Sequence, residues 1–452
     1  MKNILKFIYS REDKGIYRIR IIFGIKITTK PVELLLLKEL RNRRIHNDKS
    51  FILHKFYDKN IDNNSTCFIF SVLPPEQSGI ANYSAKTFGI SKSFTVFSDF
   101  GSFEDFVRAE ESLSDNYKNN FFPIEYFYRY NNKYIKKIFV LGNSNHNIEY
   151  LRYAIEEKYK ENSYLYMHEA SNFYLIFCYT NTSITEFKEM IINYYPSIYN
   201  NINCLKDINK IIETLLKENI YGIKIILSLT NITNIIVNND KSEELILNEI
   251  KGTEYDNKIN IIKMFLPIEK LNKENIKKQY NKLPDNIYIG SFGQLDSVKC
   301  SDTIIKAINI LNKKYNNKIK LVVSGYNAKD YINNIKDKTL TENIMCFETK
   351  DTEDFISLMN SVDIAIQLRN NTIGESSGVI NQLLGLNKKI IATKGFVSKE
   401  LSKSVRKVKP FINAEELALE ILDYLEDKTI IDNSELIEKY SFENLANKLL
   451  EL

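Results

Sequence analysis

Short apolar segments alternate with amphipathic ones from about residue 65 onward. The predicted strands of this first stretch are 67–73, 94–98, 137–143, 164–169 and 234–239. Segments with a helical period lie between them, for example 148–160. Continuous apolar strands separated by amphipathic helices are typical of a parallel sheet covered on both faces. The pattern therefore predicts an α/β domain.

The same alternation starts afresh near residue 286. The predicted strands are here 286–293, 319–326, 344–349, 363–368 and 388–393, with a helix over 302–315. Residues 265–285, between the two series, are rich in Lys, Asn and Pro, which is typical of an exposed connector. We therefore predict two α/β domains, residues 61–270 and 271–452, with a ligand cleft between them at strand carboxyl ends.

Residues 1–60 differ from the rest. Apolar and basic residues alternate over 16–30 and turn at Gly24, which predicts a β-hairpin, and 31–46 predicts a short amphipathic helix. The segment holds fifteen Lys and Arg against six Asp and Glu, whereas the remainder has four more acidic than basic residues. This basic appendage is predicted to contact an anionic membrane surface, although a solvated surface helix fits equally well. Nucleic-acid binding is disfavoured because no aromatic and basic stacking motif accompanies it.

Composition excludes several classes of protein. With 452 residues, 44% hydrophobic and 26% charged, the chain has the composition of a folded globular protein. Its five cysteines lack CxxC spacing and its four histidines lack paired spacing, so we expect no disulfide framework and no metal site. No run reaches the ~18 apolar residues of a membrane span, and no signal peptide is recognised. A cytoplasmic protein is predicted.

The first loop with candidate chemistry lies within residues 71–88. The predicted strand ends at Pro74 and Pro75, and Ser78 and Gly79 precede a helix that begins near Ile80. Gly79 would let backbone amides approach a phosphate at the helix N-terminus. A purely structural βα turn remains the alternative.

The second loop lies within residues 290–308. A strand leads to a turn with Gly293, then to an exposed Lys299 and a helix capped by Ser301 or Asp302. The lysine could neutralise a leaving phosphate, or it could be a solvated charge. Neither the GxGxxG nor the GxxxxGK[ST] motif is present, which disfavours a dinucleotide dehydrogenase or a P-loop NTPase.

The third loop lies within residues 368–382. Gly374 provides a turn, and Ser376, Ser377 and Gly378 are small enough for a helix start to expose its amides to a diphosphate. Glu375 would repel phosphate, so it is predicted to accept hydrogen bonds from sugar hydroxyls; stabilising its own helix start is the alternative. Asn387 in a left-handed conformation would end this helix after about twelve residues.

His168 and Glu169 follow the predicted strand 164–169, where ligand-facing residues of α/β folds collect. Histidine is the usual acid–base and donor side chain, although a lone histidine can also be structural.

In this order the segments resemble one family, the group-one (family 4-like) retaining glycosyltransferases of the GT-B fold. The resemblance runs from about 65 to 450 and rests on PPEQSGIANYS, LGNSNH, YLYMHEA, GSFGQLDSVKCSDTIIKAI, LRNNTIGESSGVINQLLGLNKKIIAT and YSFENLANKLLEL. It implies two Rossmann-like domains, a nucleotide-sugar donor bound mainly by the second and an acceptor bound mainly by the first. It also implies that no metal is needed and that no cofactor is expected, because the nucleotide sugar is a substrate.

The resemblance also assigns roles by position. His168 would contact the donor sugar and its leaving phosphate, Lys299 the diphosphate, and Glu375 the sugar hydroxyls. The donor-binding residues that it implies are Gly79, Gly293, Gln294, Gly374, Ser376, Ser377, Gly378 and Gln382.

Two positions depart from the family pattern. Gln294 stands where the family has a phosphate-binding arginine, and Gln382 where it has a second glutamate.

The first hypothesis, which the resemblance implies, is a metal-independent, hexosyltransferase-like enzyme. It would act on a glycan, glycolipid or surface-polysaccharide acceptor, as a peripheral protein on the inner face of the membrane. The alternative is a non-catalytic GT-B relative that binds a sugar nucleotide or acts as a partner subunit. A GT-B epimerase or phosphorylase ranks lower, because no pyridoxal-type lysine context is present.

Overall fold

A computed structural model describes most of the chain. The described residues are 9–14, 17–23, 25–29, 52, 61, 64–76, 78–113, 121–130, 132–271, 285–315, 317–325, 327–349, 352–370 and 372–452.

The N-terminal residues form a small antiparallel sheet of β1 (Tyr9–Lys14), β2 (Tyr17–Ile22) and β3 (Ile25–Thr29). Strands β2 and β3 pair as the hairpin predicted over 16–30. Strand β1, which the pattern did not indicate, pairs with the other side of β2. The helix predicted over 31–46 lies outside the described residues.

The first large sheet is parallel throughout and has the strand order β10-β9-β8-β7-β4-β5-β6. Its strands are β4 (Cys67–Phe70), β5 (Phe94–Ser98), β6 (Phe121–Pro123), β7 (Lys136–Leu141), β8 (Ser163–Met167), β9 (Asn234–Val237) and β10 (Asn260–Lys263). The helices that cover it are α1 (Gly79–Phe88), α2 (Phe103–Ser112), α3 (Phe127–Tyr130), α4 (Ile148–Glu156), α5 (Phe173–Thr180), α6 (Ile184–Tyr194), α7 (Tyr199–Ile202), α8 (Ile208–Lys217), α9 (Ile223–Thr230) and α10 (Asp240–Ile250).

The second large sheet is also parallel and has the order β13-β12-β11-β14-β15-β16. Its strands are β11 (Ile287–Phe292), β12 (Ile319–Ser324), β13 (Ile344–Cys346), β14 (Ile364–Gln367), β15 (Lys389–Thr393) and β16 (Arg406–Val408). Its helices are α11 (Ser301–Lys314), α12 (Ala328–Asn333), α13 (Thr352–Ser361), α14 (Gly378–Gly385), α15 (Ala414–Glu426), α16 (Ser434–Lys439) and α17 (Phe442–Glu451). Short 3₁₀ turns cover 124–126, 145–147, 160–162, 196–198, 338–340 and 400–404.

Both large sheets reverse their strand order in the Rossmann manner. In each, the chain runs outward from one strand to one edge and then returns to the other side of that strand. This gives the order 3-2-1-4-5-6-7 in the first sheet and 3-2-1-4-5-6 in the second. The predicted α/β architecture with two Rossmann-like domains is confirmed. The exact domain limits at 60 and 270 stay predictions.

Burial explains the continuous apolar strands. All four residues of β4 are buried, and the ring of Phe70 stacks on Phe139 at 4.4 Å and on Phe97 at 5.4 Å between ring centroids. Such aromatic side chains bury large apolar areas and dominate the energetics of a core. The predicted first strand is shorter than expected, because it ends at Phe70 rather than at residue 73.

Most of the described part of the connector is covered, contrary to the exposure predicted for 265–285, although Lys270 and Asp285 are exposed. Ile268 is buried, and its backbone N–H donates to the carbonyl of Tyr440 at 2.7 Å. Helix α17 then returns to the first domain, where Leu445 and Leu449 join the apolar core around β4. The connector is therefore covered by the C-terminal segment, a long-range contact that its polar composition does not indicate.

Within the ranges that the structure describes, we find no helix long and apolar enough to cross a membrane.

Candidate active site

Apart from His168, which follows β8, the predicted site residues follow strands that flank the point where each sheet reverses its order. In the first sheet these strands are β4 and β7, and in the second they are β11 and β14. Ligands of open α/β sheets bind outside the carboxyl ends of the strands at such switch points. Gly79 follows β4, Lys299 follows β11, and Glu375 follows β14.

Helix α1 begins beside the carboxyl end of β7. Ser78 caps this helix, since its hydroxyl accepts a hydrogen bond from the N–H of Ala81 at 3.0 Å. A Cβ on Gly142 would lie 2.4 Å from Ile80 Cδ1, whereas a Cβ on Gly79 would meet nothing within 4 Å. The glycine after β7 thus lets the first turn of α1 approach closely, and Gly79 leaves open space over the amides of that turn.

Gly293 begins the loop that carries Lys299. Gly293 has φ +95°, and a Cβ on Gly325 would lie 2.0 Å from the Gly293 carbonyl oxygen, so the two loops touch through their backbones. A Cβ on Gly293 would in turn lie 3.6 Å from Lys299 Nζ. The ammonium group is therefore held over the turn that follows β11, next to the exposed Gln294.

Two expectations for this loop were wrong. Lys299 is half-buried rather than exposed, and its burial, with the nearby charge of Arg369, lowers its pKa. The cap of α11 is neither Ser301 nor Asp302 but Cys300, with φ +56° and no side-chain cap hydrogen bond. The hydroxyl of Ser301 instead accepts from the N–H of Asp296 at 3.0 Å, which braces the loop.

Residues of the first domain contact and fix the loop of the second domain that contains Gly374. Gly374 has φ +81°, and a Cβ there would lie 2.4 Å from Ser242 Oγ. Asn239 Nδ2 donates to the Gly374 carbonyl at 2.9 Å and to Ser376 Oγ at 2.9 Å. Ser242 Oγ also donates to the Gly374 carbonyl. Asn239 and Ser242, at the start of α10, were not predicted; they lie more than 130 residues away in sequence, and no local pattern reports such a contact.

Glu375 is oriented by contacts outside its own helix start. Its Oε1 lies 3.3 Å from Arg369 Nε, and its Oε2 accepts from the N–H of Ile373 at 2.8 Å. The side chain is 21% exposed. The alternative role, stabilisation of the helix start, is therefore not the one that this geometry shows, and two further lone pairs of the carboxylate stay available for a ligand.

The start of α14 follows directly. Ser377 caps the helix, since its Oγ accepts from the N–H of Ile380 at 3.2 Å. Gly378, the first helical residue, is exposed with nothing within 4 Å of a Cβ, and Gln382 lies half-buried one turn later. Asn387 has the expected left-handed conformation at φ +51°, but the helix ends at Gly385 and has eight residues, not about twelve.

His168 belongs to a hydrogen-bonded aromatic network. Its ring stacks on Tyr166 at 5.1 Å between centroids, and Nδ1 lies 3.0 Å from Asn238 Nδ2. The Oδ1 of Asn238 accepts from the hydroxyl of Tyr166 at 2.8 Å, so its Nδ2 faces the histidine and donates to Nδ1. This places the imidazole proton on Nε2, which is buried and has no partner in the described part of the chain. Burial lowers the pKa of His168 to about 4, so the ring is neutral at pH 7.

Glu169 connects the two halves of the site. Its Oε1 accepts from the N–H of Asn143, after β7, at 3.2 Å. Burial, and to a smaller extent the negative charge of Glu375, raise the pKa of Glu169 to about 7. Glu169 was predicted to lie beside His168 at the end of this strand, but no role was predicted for it. The hydrogen bond from the N–H of Ala170 to the carbonyl of Ile373, at 3.0 Å, shows that the loops after β8 and β14 meet.

The structure thus brings several predicted residues together. Glu375 lies beside Arg369, whose charge reaches Lys299, and opposite Glu169, next to His168. Gly79 joins this group through the contact of Ile80 with Gly142, the neighbour of Asn143. The roles of all eleven predicted residues stay predictions, and so does the expected independence of metal ions.

Comparisons with known proteins agree with this architecture. Residues 272–441 match the family model described as Glycosyl transferases group 1. Among curated proteins, none matches the chain in sequence.

Solved structures resemble nearly the whole chain. Anabaena HepE, in complex with UDP-glucose, has a TM-score of 0.54 at 12% identity, with 85% of this chain and 98% of that chain covered. A glycosyltransferase from Rickettsia africae has a TM-score of 0.50 at 15% identity, covering 86% and 97%. The trehalose-6-phosphate synthase OtsA has a TM-score of 0.57 at 10% identity, covering 86% and 98%.

At such low identity these structures show the fold, which is GT-B. The predicted resemblance to group-one glycosyltransferases is confirmed by the match of residues 272–441 to the family model of the glycosyl transferases group 1.

Proposed function

We propose that the protein is a retaining glycosyltransferase that moves a sugar from a nucleotide-sugar donor to a glycan, glycolipid or surface-polysaccharide acceptor. The observation that carries this proposal is the contact between the two domains at the loop of Glu375. The N–H of Ala170 donates to the carbonyl of Ile373 at 3.0 Å, and the charge of Glu375 reaches Glu169. The presence of UDP-glucose in the structurally similar HepE supports a nucleotide sugar as the donor.

The leaving diphosphate would bind where positive charge and free amides converge. Helix α14 begins at Gly378 with open space above it, and a helix N-terminus favours anions. Lys299 Nζ supplies a point charge on the other side of the same switch point. Since negative charge develops on the phosphate as the sugar leaves, these fixed donors stabilise the transition state more than the ground state.

The sugar would lie between Glu375 and His168. Glu375 is held by Arg369 and Ile373 and still has lone pairs to accept from sugar hydroxyls. His168 offers an Nε2–H donor to a sugar or phosphate oxygen. In the proposed step the bond from the anomeric carbon to the phosphate oxygen breaks, and the acceptor oxygen bonds to the same face of that carbon. The acceptor proton moves to an oxygen of the leaving phosphate.

The first test is ligand binding and turnover. A ligand that binds only the native protein stabilises it, by about 2.7 kcal/mol at a hundredfold excess over Kd. We expect at least one of UDP, GDP and ADP, or one of their sugar esters, to raise the melting temperature by a few degrees. A labelled ester should then transfer or hydrolyse its sugar with the anomeric configuration retained, with or without EDTA.

The outcomes separate the two hypotheses about activity. Tight binding of a sugar nucleotide without turnover, across a broad set of acceptors, would favour the non-catalytic alternative, which the neutral Gln294 and Gln382 motivate. Absence of any nucleotide binding would contradict both.

We also infer that the N-terminal sheet attaches the protein to the cytoplasmic face of an anionic membrane. Phe23, Ile25 and Ile27, at the turn and along β3, are exposed by 69%, 68% and 42%. Lys26 is exposed between them, and the first 60 residues carry nine excess positive charges. Apolar side chains that insert at the headgroup level, flanked by basic residues, are the usual means of peripheral attachment.

Co-sedimentation with liposomes tests this attachment. The protein should sediment with vesicles that contain phosphatidylglycerol and much less with pure phosphatidylcholine, and added salt should weaken the binding. The double change Phe23→Ser and Ile25→Ser should reduce sedimentation at least about tenfold, since two apolar side chains are lost. Ile430→Ser, at a residue that is 89% exposed elsewhere, is the matched control. Equal sedimentation of all variants would contradict attachment through this sheet.

A further inference from the structure

Arg369 is the second residue after β14, at the switch point of the second sheet, and no role was predicted for it. Its side chain is only 14% exposed, and its guanidinium lies over the ring of Phe396 at 4.2 Å from the centroid. Nε faces Glu375 at 3.3 Å, and Nη1 donates to the carbonyl of Leu368 at 2.8 Å. The side chain is thus fixed in one orientation by a ring, a carboxylate and a carbonyl.

These contacts do not exhaust the donors of the guanidinium. Arginine presents five N–H groups in a planar fork, and the contacts above engage only part of them. A buried fork with remaining donors is suited to a second planar or tetrahedral anion, because guanidinium is weakly hydrated and binds phosphate in a bidentate manner.

Arg369 and Lys299 are close enough for their like charges to affect each other. The charge of Arg369 is the second largest cause, after burial, of the lowered pKa of Lys299. Two cations that approach each other in a half-buried site disfavour each other's charge, and an anion placed between them reverses that cost. Asp296 acts against this cost at both cations, and Glu375 acts against it at Arg369.

The uncharged residue Gln294 supports the pairing of Arg369 with Lys299. It is exposed next to Gly293, within the loop that holds Lys299, but its amide carries no charge. A leaving diphosphate with several negative charges would therefore find only Lys299 on this loop, and the loop after β14 supplies the next cation.

Resting on the proposed function, we propose that Arg369 is the second cationic group of the diphosphate site and that it provides the charge that Gln294 lacks. Because the same guanidinium fixes Glu375, it also ties the group that would contact the sugar to the group that would contact the phosphate.

A purely structural role for Arg369 predicts a different result from a phosphate-binding role. If Arg369 only orients Glu375, its loss should weaken binding of the sugar ester and leave inorganic pyrophosphate and the free nucleoside diphosphate unaffected. If it contacts the phosphates, all three should bind more weakly, and the uncharged nucleoside should not.

The experiment is titration calorimetry of Arg369→Gln with inorganic pyrophosphate, UDP, GDP, ADP and the corresponding nucleosides. A charge-assisted hydrogen bond to a charged group corresponds to a loss of about tenfold to a hundredfold in affinity. We expect a loss of this size for pyrophosphate and for each diphosphate that the unaltered protein binds. Arg406→Gln is the matched control, since Arg406 also lies over an aromatic ring, that of Tyr424 at 4.5 Å, and pairs with acidic groups at the far edge of the sheet.

Rescue distinguishes charge from shape. Adding Gln294→Arg to Arg369→Gln should recover most of the lost affinity, whereas Gln294→Arg alone should strengthen binding by less than about threefold, because Arg369 already supplies the charge. A gain of tenfold or more from Gln294→Arg alone would overturn the inference, and this variant changes only an exposed residue, so folding does not obscure it.

The result also separates this inference from the proposed function. If the unaltered protein binds none of the four anions, the proposed function itself fails. If it binds them and Arg369→Gln binds them equally well, only the role of Arg369 is overturned.

Discussion

Lys299→Ala is expected to lower the rate of sugar transfer by about a hundredfold to a thousandfold, the effect of removing one fixed donor from a developing oxyanion. The ammonium group lies over the turn after β11, where the leaving phosphate is proposed to bind. Most of the loss should appear in kcat, because the lysine acts on charge that develops in the transition state. Steady-state kinetics with the donor that the unaltered protein uses would measure both constants.

The same change should not destabilise the fold. Burial and the charge of Arg369 both disfavour the charged form of Lys299. The hydrogen bond that anchors this residue runs from the backbone N of Lys299 to Asp296 Oδ1, at 2.8 Å, so it does not depend on the lysine side chain. Removing the side chain should therefore leave the free energy of unfolding unchanged or slightly higher, as is common where a functional group is held at a cost in stability.

A lysine on the surface of the next helix provides the control. Lys306 is exposed on α11, and Lys306→Ala should retain both activity and stability. If Lys299→Ala transfers sugar at the unaltered rate, the assignment of the diphosphate to the second switch point is wrong. Loss of activity together with a large loss of stability would point instead to a structural lysine.

The sequence predicts the interior of the fold better than its edges. The ten strands that were predicted in the two domains lie where continuous apolar runs occur, because a parallel strand buried on both faces must be apolar throughout. Strands β6, β10 and β16 were missed, and each lies at the edge of its sheet with only three or four residues. The residues of β10 are all exposed or half-buried, so no apolar run marks them.

In the candidate site, too, some residues can be predicted from the local sequence and others cannot. Glycines and caps such as Gly374 and Ser377 are recognisable locally, since a left-handed turn or a helix start restricts the residue type. Arg369 and Asn239 act through partners that the chain brings together only on folding, and their roles follow from distances rather than from spacing. The wrong prediction of an exposed Lys299 has the same origin, because its burial depends on the approach of the loops at Gly293 and Gly325.

Glu169→Gln is expected to change how stability depends on pH. The pKa of Glu169 is raised from 4.5 to about 7 on folding, chiefly by burial. Between these two values the folded protein holds a proton that the unfolded chain has lost, so the contribution of Glu169 to stability decreases as pH rises. At 1.36 kcal/mol per pKa unit, the loss amounts to about 3 kcal/mol by pH 7.

His168 has the opposite effect over almost the same range. Its pKa is lowered from 6.5 to about 4 by burial, so the unfolded chain binds a proton there that the folded protein does not. Stability from this group therefore increases by about 3 kcal/mol as pH rises from 4 to 6.5. In the unaltered protein the pH-dependent contributions of Glu169 and His168 to stability largely cancel. Burial favours the neutral form of both side chains, but the neutral form is the protonated one for glutamate and the deprotonated one for histidine.

Urea denaturation between pH 4.5 and 7.5 would reveal this cancellation. Relative to the unaltered protein, Glu169→Gln should gain about 3 kcal/mol of stability across that range, since glutamine removes the opposing titration and leaves that of His168. Other groups titrate in both proteins, so the difference between the two curves reports Glu169. For the control Glu415→Gln, at an exposed residue of α15, the curve of stability against pH should be parallel to that of the unaltered protein. If the stability of Glu169→Gln changes with pH in the same way as that of the unaltered protein, then burial does not hold Glu169 protonated in the folded protein.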